Sequence, residues 1–213
     1  MHRKSKAVLL LMFATCALWT LPTRAENPQV TVSVYNDVQL PSDTLNRAEE
    51  HTTKLFLRAG LDISWLDCTH SSTAVCNEIG RPDHLFLRIT PKVGNFVNNS
   101  VFGVAFLGSN GTGYNADVFW NRVQQTQAAS KVDAALILGS VMAHEIGHLL
   151  LGSNAHSVNG IMQAHWKYSE LRRISMGNLE FLPEQAKRMR AKLPQQKTTH
   201  DIMWWLTQEK SPL

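Results

Sequence analysis

The sequence predicts an α+β domain, a twisted and mostly five-stranded sheet backed by helices. Three observations lead there. Five short segments rich in apolar and β-branched residues are spaced through positions 30–123, one helical segment lies between the first two, and a long Ala-, Leu- and Met-rich segment follows the last.

The elements follow in order. QVTVSVYND (29–37) alternates apolar and polar from Val30 to Tyr35, the period of a strand. Pro41-Ser42-Asp43 then opens a helix with a capping residue. Leu45, Ala48, Leu55 and Phe56 fall near helical spacing, and Gly60 ends it. LDISWLDC (61–68) and HLFLRIT (84–90) read as two further strands, separated by a loop bounded by cysteines. VFGVAFLG (101–108) is the fourth and ADVFWNRV (116–123) the fifth. SNGTGYN, with its Asn-Gly pair, makes the turn between them. A long helix runs from about 131 to 151, behind the sheet. After a histidine-bearing loop comes a helix over 183–193 with proline in its first turn. The tail carries Trp204-Trp205, read as docking on the body of the protein.

The first 25 residues have the pattern of an export signal: His2, Arg3, Lys4 and Lys6, a 15-residue apolar run, Pro22, then Thr23-Arg24-Ala25. That run rises only about 22 Å as a helix, short of the roughly 30 Å hydrocarbon core, so no stable membrane insertion is expected once it is removed. The chain is thus expected to be secreted or periplasmic. The leader also explains the charge. Lys and Arg number 21 against 17 Asp and Glu, and Arg3, Lys4, Lys6 and Arg24 lie in the leader, which holds no acid. The remainder is balanced, which gives no support to a nucleic-acid partner. Cys68 and Cys76 are an even pair in an exported chain and are expected to form a disulfide. Composition leaves the oligomeric state open.

The chemistry concentrates in VMAHEIGHLLLGSNAHSVNGIMQ (141–163). His144 and His148 are four residues apart, so both imidazoles leave one face of the helix and can take adjacent corners of a tetrahedral zinc. Glu145, one step round, is placed to reach a zinc-activated water rather than the metal. This is the H-E-x-x-H arrangement of two ligands and a general base. A third ligand requires a break in the helix. Gly152 supplies one, because glycine accepts the left-handed conformation at a helix C-terminus, and the chain then presents His156. A turn follows and ends in Met162.

HEIGHLLLGSNAH followed by GIM resembles the metzincin clan of zinc metallopeptidases. The resemblance implies a zincin fold with an active-site helix and a small C-terminal subdomain. It implies one catalytic zinc on His144, His148 and His156, Glu145 as base, and Met162 on a turn beneath the site. It also implies that the fourth strand is the sheet edge lining the cleft, so that Gly103, Val104, Ala105, Phe106 and Leu107 pair with an extended peptide or protein substrate. The spacing departs from the clan pattern H-E-x-x-H-x-x-G-x-x-H: glycine comes four residues after His148, and His156 four after the glycine. A thermolysin-like alternative takes its third ligand from a later glutamate, Glu170 or Glu180. His165, Trp166 and Tyr168 follow the turn, where ordinary packing of the loop is expected first, with substrate-pocket walls or an oxyanion-stabilising phenol as the alternative, while His51, His70, His84 and His200 show no ligand spacing.

The expected organisation is a signal over 1–25 and a single metallopeptidase domain over 26–213. Residues 26–152 would form the N-terminal subdomain with the active-site helix, and 153–213 the C-terminal subdomain and tail. Two rivals stand beside the peptidase. One is a non-catalytic zinc domain that binds a peptide or glycan, and the other a hydrolase of a non-peptide amide. A structural zinc site needs no base and closes its fourth position, so Glu145 speaks against the first.

Overall fold

Five strands hydrogen-bond into one sheet in the computed structural model, which describes residues 26–70, 76, 81–92 and 101–193. They are β1 (Gln29–Asn36), β2 (Asp62–Asp67), β3 (His84–Thr90), β4 (Gly103–Phe106) and β5 (Asn115–Phe119), in the order β2-β1-β3-β5-β4. Four strands run parallel, and only β4 is antiparallel, against β5. That places β4 at an edge, with one row of backbone donors and acceptors not used by the sheet. The strand ends at Phe106, so Leu107 lies just past the edge strand expected from the sequence.

Five helices are found among the described residues: α1 (Ser42–Arg58), α2 (Trp120–Ser130), α3 (Ala134–Leu151), α4 (Tyr168–Ser175) and α5 (Pro183–Lys192). The alternation in β1 buries Val30, Val32 and Val34 completely, and α1 meets the same core with Leu45, Ala48, Leu55 and Phe56. Between α1 and the other helices runs α3, buried from Ile137 to Leu150. With a mean hydropathy of 1.6, α3 has the length and composition of a membrane span, yet its apolar surface is covered by the protein itself. Two polar bridges fix α3 against α1. His51 Nε2 and Ser140 Oγ lie 3.0 Å apart, and Thr52 Oγ1 donates to the Gly139 carbonyl at 2.9 Å.

Two expected boundaries are corrected. The fifth strand stops at Phe119, and Trp120 to Val123 are the first turn of α2. Aromatic and β-branched residues straddle that junction and read as a strand, but the Gln- and Ala-rich continuation favours a helix. The long helix starts at Ala134 rather than near 131. Lys131 takes a left-handed conformation (φ 63°), and the Asp133 carboxylate accepts from the Ala135 N–H at 2.8 Å as the cap. The short helix α4 was not expected, since its eight residues give too little apolar period to detect. The leader 1–25, His200 and Trp204-Trp205 lie outside the described residues, as does most of the loop between the cysteines. Cys68 and Cys76 themselves are joined by a disulfide, and the Tyr35 hydroxyl donates to the Cys76 carbonyl at 2.8 Å.

Candidate metal centre and cleft

The last turns of α3 carry His144, Glu145 and His148, all nearly buried. Gly152 ends the helix in the left-handed conformation (φ 64°), and its N–H bonds to the His148 carbonyl at 2.9 Å. The reversal brings the chain back past Ser153 and presents His156 to the two helical imidazoles. Ring centroids of His156 lie 5.3 Å from His144 and 4.9 Å from His148. One nitrogen from each of the three rings lies within 4.8 Å of the others, close enough for the group to gather round one metal ion. The longer spacing therefore does not keep His156 away. Glu170 and Glu180 are not part of this group. Glu170 accepts from the Lys167 N–H at the start of α4, and Glu180 pairs with Arg58 at 2.9 Å.

The hydrogen bonds fix which nitrogens face the centre. His144 Nδ1 lies 2.7 Å from the Ile161 carbonyl, and His148 Nδ1 lies 2.8 Å from the Ser153 carbonyl. A carbonyl only accepts, so each Nδ1 carries the proton and each Nε2 carries a lone pair. The two Nε2 atoms are 3.0 Å apart. That contact is lone pair against lone pair, not a hydrogen bond, and it is unfavourable unless a cation lies between them. Two imidazoles on a tetrahedral zinc, at about 2.0–2.1 Å each, stand roughly 3.3 Å apart, so the donor set fits the metal. Burial lowers the His144 pKa to about 3, with His148 and His156 adding to the effect, and burial lowers His148 also. Both rings are held neutral, the form that ligates.

Glu145 lines the same cleft, and no hydrogen bond to its carboxylate is found among the described residues. Burial, followed by the nearby charge of Asp117, raises it to about 8 in the metal-free site. β4 passes directly over it. A β-carbon at Gly103 would stand 2.6 Å from the Asp117 carbonyl and 2.7 Å from both Cγ and Oε1 of Glu145, so only glycine permits this approach. Met162 is fully buried beneath α3, and a β-carbon on Gly147 would come 2.6 Å from its sulfur. The Ile161 carbonyl next to it also accepts from Trp166 Nε1 at 3.3 Å. One turn thus anchors a ligand imidazole and the Trp166 wall together. The cleft has a volume of about 430 Å³, and Val104 and Ala105 lie along one side with Gln163 to Trp166 on the other.

Sequence reasoning named the three histidines, Glu145, Gly152, Met162 and the edge strand; the histidines, Glu145, Gly103, Val104 and Ala105 line the cleft, Gly152 ends α3 and Met162 lies beneath it, whereas Phe106 and Leu107 do not line it. It missed the Ser153 and Ile161 carbonyls and the space-making role of Gly103 and Gly147. Backbone carbonyls carry no side-chain signal, and the two glycines matter only through partners distant in sequence.

No family model and no curated protein sequence matches the chain. Among solved structures it is similar to a zinc-dependent peptidase from Methanocorpusculum labreanum, at 17% identity and a TM-score of 0.54, over 74% of this chain and 99% of that one. It is also similar to metalloproteinase-II from Bacteroides fragilis, at 13% identity and a TM-score of 0.45, over 81% of this chain and 55% of that one. The first is a likeness of fold: this chain shares the α+β architecture of that peptidase.

Proposed function

We propose that this chain is an exported, metzincin-like zinc metallopeptidase that hydrolyses peptide bonds with one catalytic zinc and Glu145 as general base. The observation that carries this reading is the pair of Nε2 lone pairs facing each other at 3.0 Å, with His156 beside them and Glu145 opening on the same cleft. The likeness of fold to the zinc-dependent peptidase from Methanocorpusculum labreanum supports it.

His144, His148 and His156 would hold the ion and leave its fourth position to the cleft. When bound, zinc polarises a carbonyl and lowers the pKa of a coordinated water to about 7. The remaining work falls to the chain. The Ile161 and Ser153 carbonyls hold two imidazoles in the ligating tautomer. A cation beside Glu145 favours its charged form against the burial that opposes it. The carboxylate then accepts a proton from the attacking water on one oxygen and delivers it to the leaving nitrogen. Substrate backbone adds to β4 as a further strand, next to the base that Gly103 lets approach. Glu145 is neither a ligand nor salt-bridged, which weighs against a site that only stores metal.

The division of the chain belongs to the same reading: a leader over 1–25, a mature start near Glu26, and a single domain over 26–213 divided at 152. The Cys68–Cys76 bridge supports an oxidising destination, periplasmic or extracellular. Intact mass after expression with the leader checks the start site. The activity is tested by incubating mature protein with a peptide library, with and without chelator. Cleavage abolished by the chelator and restored by zinc is expected, whereas chelator-resistant cleavage would contradict the mechanism.

A further inference from the structure

We infer that Lys192 is a positioning residue: by tying the turn between β4 and β5 to the end of α3, it sets where an extended substrate lies over the metal centre. The inference deepens the peptidase reading and rests on it for the word substrate.

The edge strand is fastened to α3 at both ends. At its start, Gly103 meets Glu145 in the close approach described above. At its far end the turn packs on the stop of the helix, backbone against backbone. A β-carbon on Gly111 would stand 2.6 Å from the Gly152 carbonyl oxygen, and one on Gly152 would stand 2.7 Å from the Gly111 carbonyl oxygen. Both residues are also left-handed, at φ 74° and 64°, so conformation and contact alike call for glycine. The turn is tied within itself. Gly108 N–H donates to the Thr112 carbonyl at 2.8 Å, and Thr112 N–H donates to Asn110 Oδ1 at 2.9 Å. It therefore moves with β4 as one piece.

Two glycines bring little attraction of their own, since neither has a side chain to pack. Lys192, at the end of α5, supplies the bond. Its Nζ donates to the Leu149 carbonyl at 2.9 Å and to the Gly111 carbonyl at 3.4 Å, so one ammonium holds both the helix and the turn. One turn earlier on α5, Arg188 donates to the Leu151 carbonyl at 3.5 Å. Two cations thus meet carbonyls that the end of α3 leaves open, where the helix dipole favours positive charge. The same helix end carries His148, and Ser153, next after Gly152, holds the His148 ring through its carbonyl. The free edge of β4 and the imidazoles are thereby kept at a fixed separation. A substrate strand added to β4 takes its place from that separation.

The test places Lys192→Met, which removes the donors and keeps most of the stem, and Lys192→Arg, which keeps donors, in the zinc-loaded Glu145→Gln protein, which removes turnover. Hydrogen exchange over residues 108–113 should be about tenfold faster in Lys192→Met, with β1 and α1 unchanged and zinc content retained. Binding is then measured with nested labelled peptides lengthened by two residues at one end or the other. With Lys192 in place, lengthening at either end should tighten binding about tenfold through added strand hydrogen bonds. In Lys192→Met that gain should vanish at one end of the peptide, the end toward the turn, and persist at the other. Lys192→Arg should restore part of it. Unchanged exchange in the turn, faster exchange spread evenly through the fold, a gain that is kept or lost equally at both ends, or no binding of any peptide overturns the inference. Turnover by the protein with Glu145 separates the two readings. Cleavage by that protein, with peptide binding unaffected by Lys192→Met, sinks this inference alone. Binding lost at one end only, without cleavage of any peptide, sinks the peptidase reading alone.

Discussion

Gly103 and Glu145 are in such close approach that an added β-carbon would fall 2.7 Å from the carboxylate's Cγ and Oε1. The edge strand and the base are therefore one unit. Gly103→Ala must push the strand away from β5, where the Asp117 carbonyl blocks the other direction at 2.6 Å, or displace Glu145. A misplaced catalytic group costs up to about 100-fold. The expected result is a loss of at least tenfold in kcat with zinc content unchanged, read by steady-state kinetics and metal analysis on the same preparation.

Met162 supports the site from beneath. It is fully buried and packs on Gly147, so Met162→Ala should cost about 2–5 kcal/mol of stability, while Met162→Leu should cost less than about 1.5 kcal/mol. Denaturant titration distinguishes the two. Equal stability of both variants would mean that the volume beneath α3 is not filled as described.

The metal-free protein should lose stability as pH rises above about 6.5. His144 is lowered from 6.5 to about 3 and His51 to about 4 by burial, so the unfolded chain binds these protons first and stability is lost as pH falls below 6.5. Glu145 is raised from 4.5 to about 8 and Glu49 to about 7, again mainly by burial. For these the folded state holds the extra proton, so stability falls as pH rises from 4.5 to about 8. The two trends oppose each other below 6.5, and above it the carboxyls act alone. Thermal melts of the chelated protein across pH 5–9 should show the alkaline decline, and Glu145→Gln should reduce it.

The disulfide closes a short loop at the edge of the sheet, with a sequence separation of 8. Loop-closure entropy for that length gives about 2.5 kcal/mol. Reduction or Cys68→Ser with Cys76→Ser should lower the melting temperature by roughly 5–10 °C. An unchanged melting temperature would show that the bridge constrains nothing in the unfolded chain.

Much of this was readable in the sequence. The four-residue spacing of His144 and His148, the helix-stopping Gly152 and the return to His156 are local patterns, and the alternation of Val30, Val32 and Val34 marks β1 without help. The edge position of β4 came from resemblance, because strand order is set by which surfaces pack and not by any one segment. α2 was hidden by the aromatic residues that begin it, and α4 by its shortness. Beyond the reach of a linear reading lay the Ile161 carbonyl on His144 and the Lys192 contact with the end of α3, since each joins residues from different elements.

The third ligand has its own test. His156→Ala should weaken zinc binding by orders of magnitude, while Glu170→Ala and Glu180→Ala leave it unchanged, measured by competition with a chromogenic chelator. Retained affinity in His156→Ala with loss in Glu170→Ala would move the site to the thermolysin-like arrangement.

The central claim is that Glu145 moves a proton and holds no metal, and Glu145→Gln tests it most directly. The amide keeps the shape of the side chain and still hydrogen-bonds a water, but accepts no proton. General-base contributions are about 10²–10⁴-fold. The account predicts that one preparation of Glu145→Gln retains the parent's zinc stoichiometry and loses at least about 100-fold in kcat on a peptide that the parent cleaves. Parent-level hydrolysis by the zinc-loaded variant would contradict it.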